Sequence, residues 1–310
     1  MQSLEDRIKS WRWVRLLKIW TLKIVIPGFE GVPLYTAMNM FVRALFFGSL
    51  TQRAAAIAFS FFLAIFPSIL FFFTLIPYLP VHELDVKVLQ LLSETVPPSV
   101  FELIKSLVTD IVGRSHFGLL SFGFILTLIF ATNGFKAIIG AFNTSIHIKE
   151  GRTFWQMQWI SLVLLIIVSL ITIIAIALMT FYQFFLDYFI EMGYLYDNWV
   201  YYLILVGNWI IQIALIYFTF SFIYFSAPHG KGMRYKLFSA GATFATLLFI
   251  LSYFLFNYYA ANFARYNALY GSIGTLILLM LWIYFIAFIL LIGFELNASI
   301  KQGKLGALRK

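Results

Sequence analysis

Long apolar runs dominate the chain, and short polar segments separate them. A helix needs about 20 residues to cross the hydrocarbon core of a bilayer, and six of the runs reach that length. They extend over residues 54–78, 117–142, 154–186, 199–226, 237–259 and 271–296. The pattern therefore predicts an all-α, polytopic membrane protein with six transmembrane helices.

An amphipathic pattern precedes the first apolar run. In residues 4–26, Trp13, Leu17 and Ile24 form one helical stripe beside a broad basic face. This predicts a helix that lies on the membrane surface and ends before Pro27. Its basic face favours a general electrostatic anchor, with specific binding of anionic lipid headgroups as the alternative.

Two other segments also have helical periodicity but are unsuited to crossing a bilayer. Residues 34–48 are too short and too polar to span, so we expect an interfacial helix there. Residues 81–114 form a long outer loop with two amphipathic helices, which either cover a cavity or rest on the membrane surface. The chain thus divides into interfacial helices (1–50), a six-helix domain (51–300) and a basic tail (301–310).

Composition agrees with a lipid environment. The chain of 310 residues is 62% hydrophobic and only 11% charged, which leaves too little polar surface to cover a soluble core. It contains no cysteine, so disulfides, thiol nucleophiles and thiolate metal sites are excluded.

Charge is distributed unequally between the two predicted sides of the membrane. The side that carries both termini holds 18 basic and five acidic residues, a net +13, and the other holds four basic and eight acidic residues, a net −4. Basic flanks stay in the cytoplasm, so we expect both termini to be cytoplasmic. The basic surface is explained by this topology, and we expect no nucleic-acid partner.

The sequence offers little catalytic chemistry. The four histidines lie in or beside different loops, and no two have the spacing of metal ligands. No phosphate-binding loop or nucleophile elbow occurs. We therefore expect a protein that is not an enzyme and that holds neither a metal nor a cofactor.

Charged groups within predicted spans are costly in lipid and need an explanation. Lys136 and Glu295 both fall near the cytoplasmic end of their spans. An ion pair between them is the favoured interpretation, with headgroup snorkelling and a transport role as alternatives. Arg53, at the entrance to the first span, could compete for Glu295.

Amide side chains form the second polar group. They either hydrogen-bond between helices or line a path for a polar solute. The residues concerned are Asn133, Asn143, Asn208, Gln212 and Asn297. On the outer side, Arg265 lies among asparagines between the last two spans, where it either caps the loop or meets an anionic headgroup.

Three stretches resemble the signatures of the YihY/BrkB bacterial inner-membrane proteins. They are RAAAIAFSFFLAIFP at residues 53–67, NTSIHIKEGRTF at 143–154 and YGSIGTLILLMLWIYFIAFILLIGFELNA at 270–298. The resemblance implies a six-span protein of the bacterial cytoplasmic membrane, described as a transporter or linked to virulence and serum resistance. It implies no established substrate, and the family's former ribonuclease BN label does not fit the absence of a metal-binding constellation.

Two functions from different classes are compatible with these features. The first is a translocator of a lipid or other amphiphile, which the long outer loop would suit, as would a first span kinked or ended by Pro67 and by the prolines at its exit, Pro77 and Pro80. The second is a non-catalytic membrane scaffold for envelope assembly. The expected partners are membrane lipids, with anionic phospholipid as a candidate. The candidate substrate-binding residues are Arg53, Asn133, Lys136, Asn208, Gln212, Arg265, Glu295 and Asn297.

Overall fold

The computed structural model describes residues 20–22, 24–26, 28–75, 78, 117–145, 151–191, 199–228, 236–262 and 272–308. Within them lie seven helices of at least 14 residues and no strand. The helices are α1 (Leu34–Phe47), α2 (Leu50–Leu75), α3 (Phe117–Ser145), α4 (Phe154–Glu191), α5 (Trp199–Ser226), α6 (Ala240–Asn262) and α7 (Ser272–Leu308). Helices α2 to α7 are each long and apolar enough to cross a membrane. The predicted all-α, six-span fold is confirmed.

The helix boundaries follow the predicted spans closely, with one large exception. Helices α3, α4 and α5 begin at the predicted residues, whereas α7 continues past residue 296 to Leu308. The residues that extend it include Lys301, Gln302 and Lys304, which are good helix formers. Most of the predicted basic tail is therefore the end of a helix, because polarity alone does not stop a helix.

Pro67 lies inside α2, which continues to Leu75 and ends two residues before Pro77. The proline ring removes the backbone N–H that would bond to the carbonyl of Leu63. Next to it, the hydroxyl of Ser68 donates to the carbonyl of Ala64 at 2.7 Å. The predicted outer loop 81–114 lies outside the described residues, as does most of the predicted helix 4–26. Of the latter, residues 20–22 are helical and residues 24–26 are not.

The chain forms two compact units. The first unit comprises Met1–Gln52, Ile139–Ile250 and Phe288–Lys310, and the second comprises Arg53–Ile138 and Leu251–Ala287. In the second unit, glycines allow α2 and α3 to approach closely, because a Cβ at Gly134 would lie 2.9 Å from the ring of Phe61. That ring also packs edge-on against Phe135, with centroids 5.4 Å apart.

In the first unit, α6 and α7 cross at two glycines. A Cβ at Gly293 would lie 2.7 Å from the Cβ of Ala245 and 2.7 Å from the carbonyl oxygen of Gly241. Residues without bulky side chains let helix backbones meet in this way in membrane proteins. The close contacts at these glycines fix the register between α6 and α7. Beside the crossing, the ring of Phe142 on α3 stacks on the ring of Phe294 on α7, with centroids 3.8 Å apart.

Helix α1 is confirmed as a helix and packs on the end of α7. Its buried Phe41 shares a core with Phe29, Val32, Leu296 and Ile300. The loop before α1 is held by backbone hydrogen bonds, including one from the Leu34 N–H to the Ile24 carbonyl at 2.9 Å. The segment from 28 to 47 is therefore an integral part of the first unit.

Helices α4 and α5 are tied together at one end and exposed along their length. Thr153 and Gln156 form a reciprocal capping box at the start of α4, with bonds of 3.0 and 3.4 Å. Arg152, just before α4, donates to the carbonyls of Ala227 and Pro228 at 3.1 and 3.0 Å. These carbonyls directly follow α5, so the two bonds provide hydrogen-bond donors at its C-terminal end. Only 6% of the most apolar stretch of each helix is buried.

Candidate functional site

A cavity of about 630 Å³ opens in the first unit where α1, α3 and α7 meet. Its lining mixes apolar, hydroxyl and charged side chains. The residues are Met40, Arg43, Ala44, Phe47, Gly48, Ser49, Thr144, Ser145, Glu295, Ala298, Ser299 and Gln302. It belongs entirely to the first unit.

Glu295 is the acidic group in this cavity. It is only 3% exposed, and its Oε2 accepts a hydrogen bond from the hydroxyl of Ser145 at 2.6 Å. Ser145 is the last residue of α3, so the bond joins the end of one helix to the side of another. A buried carboxylate needs such bonds, since its desolvation is otherwise costly.

The opposite wall of the cavity is amphipathic. Phe41 turns toward the core, whereas Arg43 is exposed and lines the cavity two residues later. Phe47, at the end of α1, is 84% exposed and also lines the cavity. One space thus presents a carboxylate, hydroxyls, a guanidinium and an aromatic ring, the set of groups that an amphiphile with a polar head can use.

The candidate Asn297 lies on a different face of α7 from Glu295 and joins two helices. Its Oδ1 accepts the backbone N–H of Gly241 at 2.8 Å, and its Nδ2 donates to the hydroxyl of Ser239 at 3.0 Å. Ser239 in turn accepts the N–H of Ala242 at 3.3 Å. Asn297 therefore caps the start of α6 from the side of α7.

Four other candidates bond along their own helices. The Nε2 of Gln212 donates to the Oδ1 of Asn208 at 3.2 Å in α5, and the Nζ of Lys136 donates to the Oδ1 of Asn133 at 3.3 Å in α3. Neither pair contributes to the lining of the cavity around Glu295. Their part in substrate binding stays a prediction.

Two candidates remain, Arg53 and Arg265. Arg53 is buried near the start of α2, at 8% exposure. Arg265 lies outside the described residues. Lys136 and Glu295 belong to different units, and the predicted ion pair between them stays a prediction.

Sequence reasoning missed several residues of the cavity, although a signal for them was present. Glu295, Ser299 and Gln302 follow one another at helical spacings of four and three residues, so they share one face of α7. A polar stripe that continues past the end of an apolar span marks a helix face that is not in lipid. Ser145 carried no comparable signal, because it is a single polar residue at the end of α3. Asn39 and Arg43, four residues apart, also mark a polar face on α1.

The known proteins that resemble this chain include proteins that match it over most of its length. YfkH of Bacillus subtilis (strain 168), whose name describes it as ribonuclease-like, is 32% identical over 259 residues, which is 82% of this chain and 90% of that protein. The UPF0761 membrane protein NTHI0384 of Haemophilus influenzae (strain 86-028NP) is 22% identical over the same shares of the two chains.

A shorter match involves the UPF0761 membrane protein IL2447 of Idiomarina loihiensis, which is 34% identical over 31% of this chain and 34% of that protein. No solved structure matches the chain with significance. The family model described as virulence factor BrkB matches residues 43–310, which include every lining residue of the cavity except Met40. The chain is a multi-pass membrane protein that belongs to the virulence factor BrkB family.

Proposed function

We propose that this protein is a translocator that moves a lipid or another amphiphile across or within the membrane. The observation that carries the proposal is the cavity of about 630 Å³ that combines buried Glu295 with exposed Arg43 and Phe47. Sites for small ligands commonly have volumes of about 300 to 1,000 Å³ and a few convergent polar groups.

The cavity supplies separate partners for the two parts of an amphiphile. The guanidinium of Arg43 suits the phosphate that phospholipids share, since its planar donors match phosphate oxygens. Glu295 and Ser145 offer acceptors and a hydroxyl deeper in the site. Phe46 and Phe47, 80% and 84% exposed, form an apolar edge against which acyl chains can rest.

The exposed apolar faces of α4 and α5 support the same function. Lipid is the solvent for such faces, so the cavity lies in a unit with wide access to acyl chains. The polar rim of the site is basic on the side predicted to be cytoplasmic, which favours anionic phospholipid as the partner. The negative charge of Glu295 favours a headgroup that carries an amine, so both classes belong in the test.

The proposal includes the location of the protein: the bacterial cytoplasmic membrane, with both termini in the cytoplasm. The charge asymmetry of +13 against −4 supports this orientation. The chain lacks native cysteine, so single cysteines can report sidedness. Cysteines at Ser99 and Asn198 should react with an impermeant maleimide in spheroplasts, and cysteines at Ser3 and Leu305 should react only after lysis. The opposite labelling pattern would reverse the orientation.

The function is tested by leaflet exchange in liposomes that contain the purified protein. Fluorescent phosphatidylglycerol and phosphatidylethanolamine should each be followed by quenching of the outer leaflet, with and without a proton gradient. We expect exchange faster than in protein-free liposomes and in liposomes with an unrelated six-span protein. Glu295→Gln should change the ratio of the two lipid rates, because it removes the charge that discriminates between their headgroups.

Exchange no faster than in both controls, for every lipid and either gradient condition, would reject the translocator. A scaffold for envelope assembly would then explain the membrane spans and interfacial helix better. The ribonuclease-like description stays with YfkH, and we propose no catalytic role for this chain.

A further inference from the structure

A second, smaller cavity lies on the other side of the last turns of α7. It has a volume of about 320 Å³ and belongs to the first unit. Its lining comprises Gly28, Glu30, Lys236, Phe238, Ser239, Asn297, Ile300 and Lys301. Asn297 is two residues after Glu295, and Lys301 is two residues after Ser299, a rotation of about 200° around a helix in each case. The two cavities therefore use opposite faces of α7.

The charges around this second cavity do not balance. Glu30 is the acidic residue in the lining, and its Oε2 accepts a hydrogen bond from the Nζ of Lys304 at 2.8 Å. The Nζ of Lys236 lies farther away, 4.0 Å from the Oε1 of Glu30. Lys304 thus neutralises most of the charge of Glu30, which leaves Lys236 and Lys301 as an excess of positive charge facing the cavity.

The backbone that encloses the cavity is fixed in place. Gly28 and Gly31 have φ of 92° and 85°, and Glu30 has φ of 50°, so three residues of one loop adopt the left-handed region. Burial of Phe29 and Val32, at 7% and 3% exposure, holds the loop in that conformation. The wall of the cavity is therefore built before any ligand binds, which lowers the entropic cost of binding.

The rest of the lining also suits an anion. Ser239, just before α6, places a hydroxyl and the positive end of that helix beside the lysines. Phe238 is 73% exposed at the same cavity, so an apolar group can lie next to a bound anion. Neither Glu295 nor Arg43 lines this space, so it is distinct from the site of the proposed function.

We infer that this cavity, which we name the Lys236–Lys301 pocket, is a binding site for a phosphate group. Lys236 and Lys301 would bind the phosphate oxygens, and Phe238 would contact the group to which the phosphate is attached. The phosphate can belong to an anionic phospholipid headgroup or to a soluble phosphorylated compound. Occupancy would join the loop 28–31 to α6 and α7, because the lining residues come from all three.

The test uses the full chain purified in an uncharged detergent. The probes are inorganic phosphate, short-chain phosphatidylglycerol and, as the uncharged counterpart, short-chain diacylglycerol. Binding is measured by the rise of the thermal unfolding midpoint with ligand concentration and, independently, by native mass spectrometry. We expect saturable binding of one or both phosphate probes that weakens as salt is raised, with no binding of diacylglycerol at the pocket.

Variants locate the site. The double variant Lys236→Gln, Lys301→Gln should weaken binding of the phosphate probe about tenfold, because two charged hydrogen-bond donors are removed. The double variant Arg309→Gln, Lys310→Gln is the matched control, since it also removes two basic charges, at the C-terminal residues of the chain, and should leave this affinity unchanged. Lys236 is exposed, with 72% of its side chain accessible, so Lys236→Gln alone gives a folded variant with a smaller loss.

Each outcome has a definite reading. If Lys236→Gln, Lys301→Gln weakens binding of phosphatidylglycerol and inorganic phosphate does not bind, the pocket is assigned to a lipid headgroup. If the same variant weakens binding of both probes, the pocket is assigned to phosphate itself. No saturable binding of either phosphate probe would overturn the inference. An equal loss of affinity in the control Arg309→Gln, Lys310→Gln and in the variant Lys236→Gln, Lys301→Gln would also overturn it, because the effect would then reflect net charge. A failure of lipid exchange in the translocation assay would leave these results unchanged.

Discussion

The end of α7 and the α4–α5 pair belong to the same unit and are both strongly apolar, yet they have different surroundings. In α7, 28% of the membrane-length stretch is buried, and residues 293–300 are buried without interruption. In α4 and α5, only 6% of the corresponding stretches is buried. Hydropathy therefore identifies the helices but does not distinguish a helix packed among others from one that faces lipid.

The difference lies in small and polar residues. The buried segment of α7 contains Gly293, Glu295, Asn297 and Ser299, whereas α4 is built largely of leucine, isoleucine and phenylalanine. Small residues let another backbone approach, and polar side chains need partners that lipid cannot supply. A helix that carries both kinds of residue is therefore the one around which others pack.

The largest effect on stability is expected from a substitution that disrupts the crossing of α6 and α7. Gly293→Ala should lower the free energy of unfolding by about 2 kcal/mol or more, because the new Cβ would lie 2.7 Å from two atoms of α6. Gly207→Ala in α5 is the control, since a Cβ there meets nothing within 4 Å. It should be neutral or stabilise the protein by up to about 1 kcal/mol. Thermal unfolding in detergent measures both, and equal effects would remove the distinction between the two helices.

A smaller effect is expected at the polar bond between the same helices. Asn297→Leu should cost about 1 to 3 kcal/mol, because it leaves the buried N–H of Gly241 without its acceptor. Asn208→Leu should change stability by less than about 0.5 kcal/mol, since the hydrogen bond of Asn208 with Gln212 lies within α5. Both variants replace asparagine by leucine, so the change in side-chain atoms is the same. Comparable losses of unfolding free energy in the two variants would contradict the interhelical role of Asn297.

The smallest expected effect is a change in how stability depends on pH, caused by the bond between Glu30 and Lys304 near the end of α7. The hydrogen bond from Lys304 lowers the pKa of Glu30 below its ordinary value, with smaller contributions from the charges of Lys304, Lys236 and Lys301. A lowered pKa means that this carboxylate stabilises the fold above its unfolded pKa of about 4.3, and that the stabilisation is lost as the pH falls through the lower folded value.

The variant Glu30→Gln should therefore lose part of the acid dependence of the unfolding midpoint below about pH 5. Lys304→Gln should reduce the same dependence, because it removes the main partner of Glu30. Lys236→Gln should retain most of it, since its Nζ is 4.0 Å from Glu30 and largely exposed. Identical pH profiles for the wild type and Glu30→Gln would show that the bond does not contribute.

The sequence predicted the spans because membrane thickness imposes a minimum length on every apolar helix. The start of α3 at Phe117, of α4 at Phe154 and of α5 at Trp199 followed from abrupt changes in polarity. The predicted span 271–296 ends before α7 does, since helix formers such as Lys301 and Lys304 continue the helix beyond the apolar residues.

The sites were harder to predict, because they depend on the register between helices. The four-residue spacing of Gly241 and Ala245 indicates a packing face, but nothing in the chain names Gly293 as its partner. Asn297 was expected to bond between helices, and its acceptor role at Gly241 could be read only from the packed structure. The cavities follow from where the loop 28–33 and α1 pack, which a helical pattern does not specify.

The most direct measurement compares leaflet exchange in a variant that fills the cavity with exchange in a variant that does not. Ala298 lines the cavity and is 2% exposed, whereas Ile173 on α4 is 62% exposed. With reconstituted protein of equal amount and thermal stability, Ala298→Phe should reduce exchange to the rate of protein-free liposomes, and Ile173→Phe should keep the wild-type rate. Gln302→Phe, at the exposed edge of the cavity, should reduce exchange without a change in the core. Wild-type exchange in both cavity variants would contradict the claim that an amphiphile moves through this site.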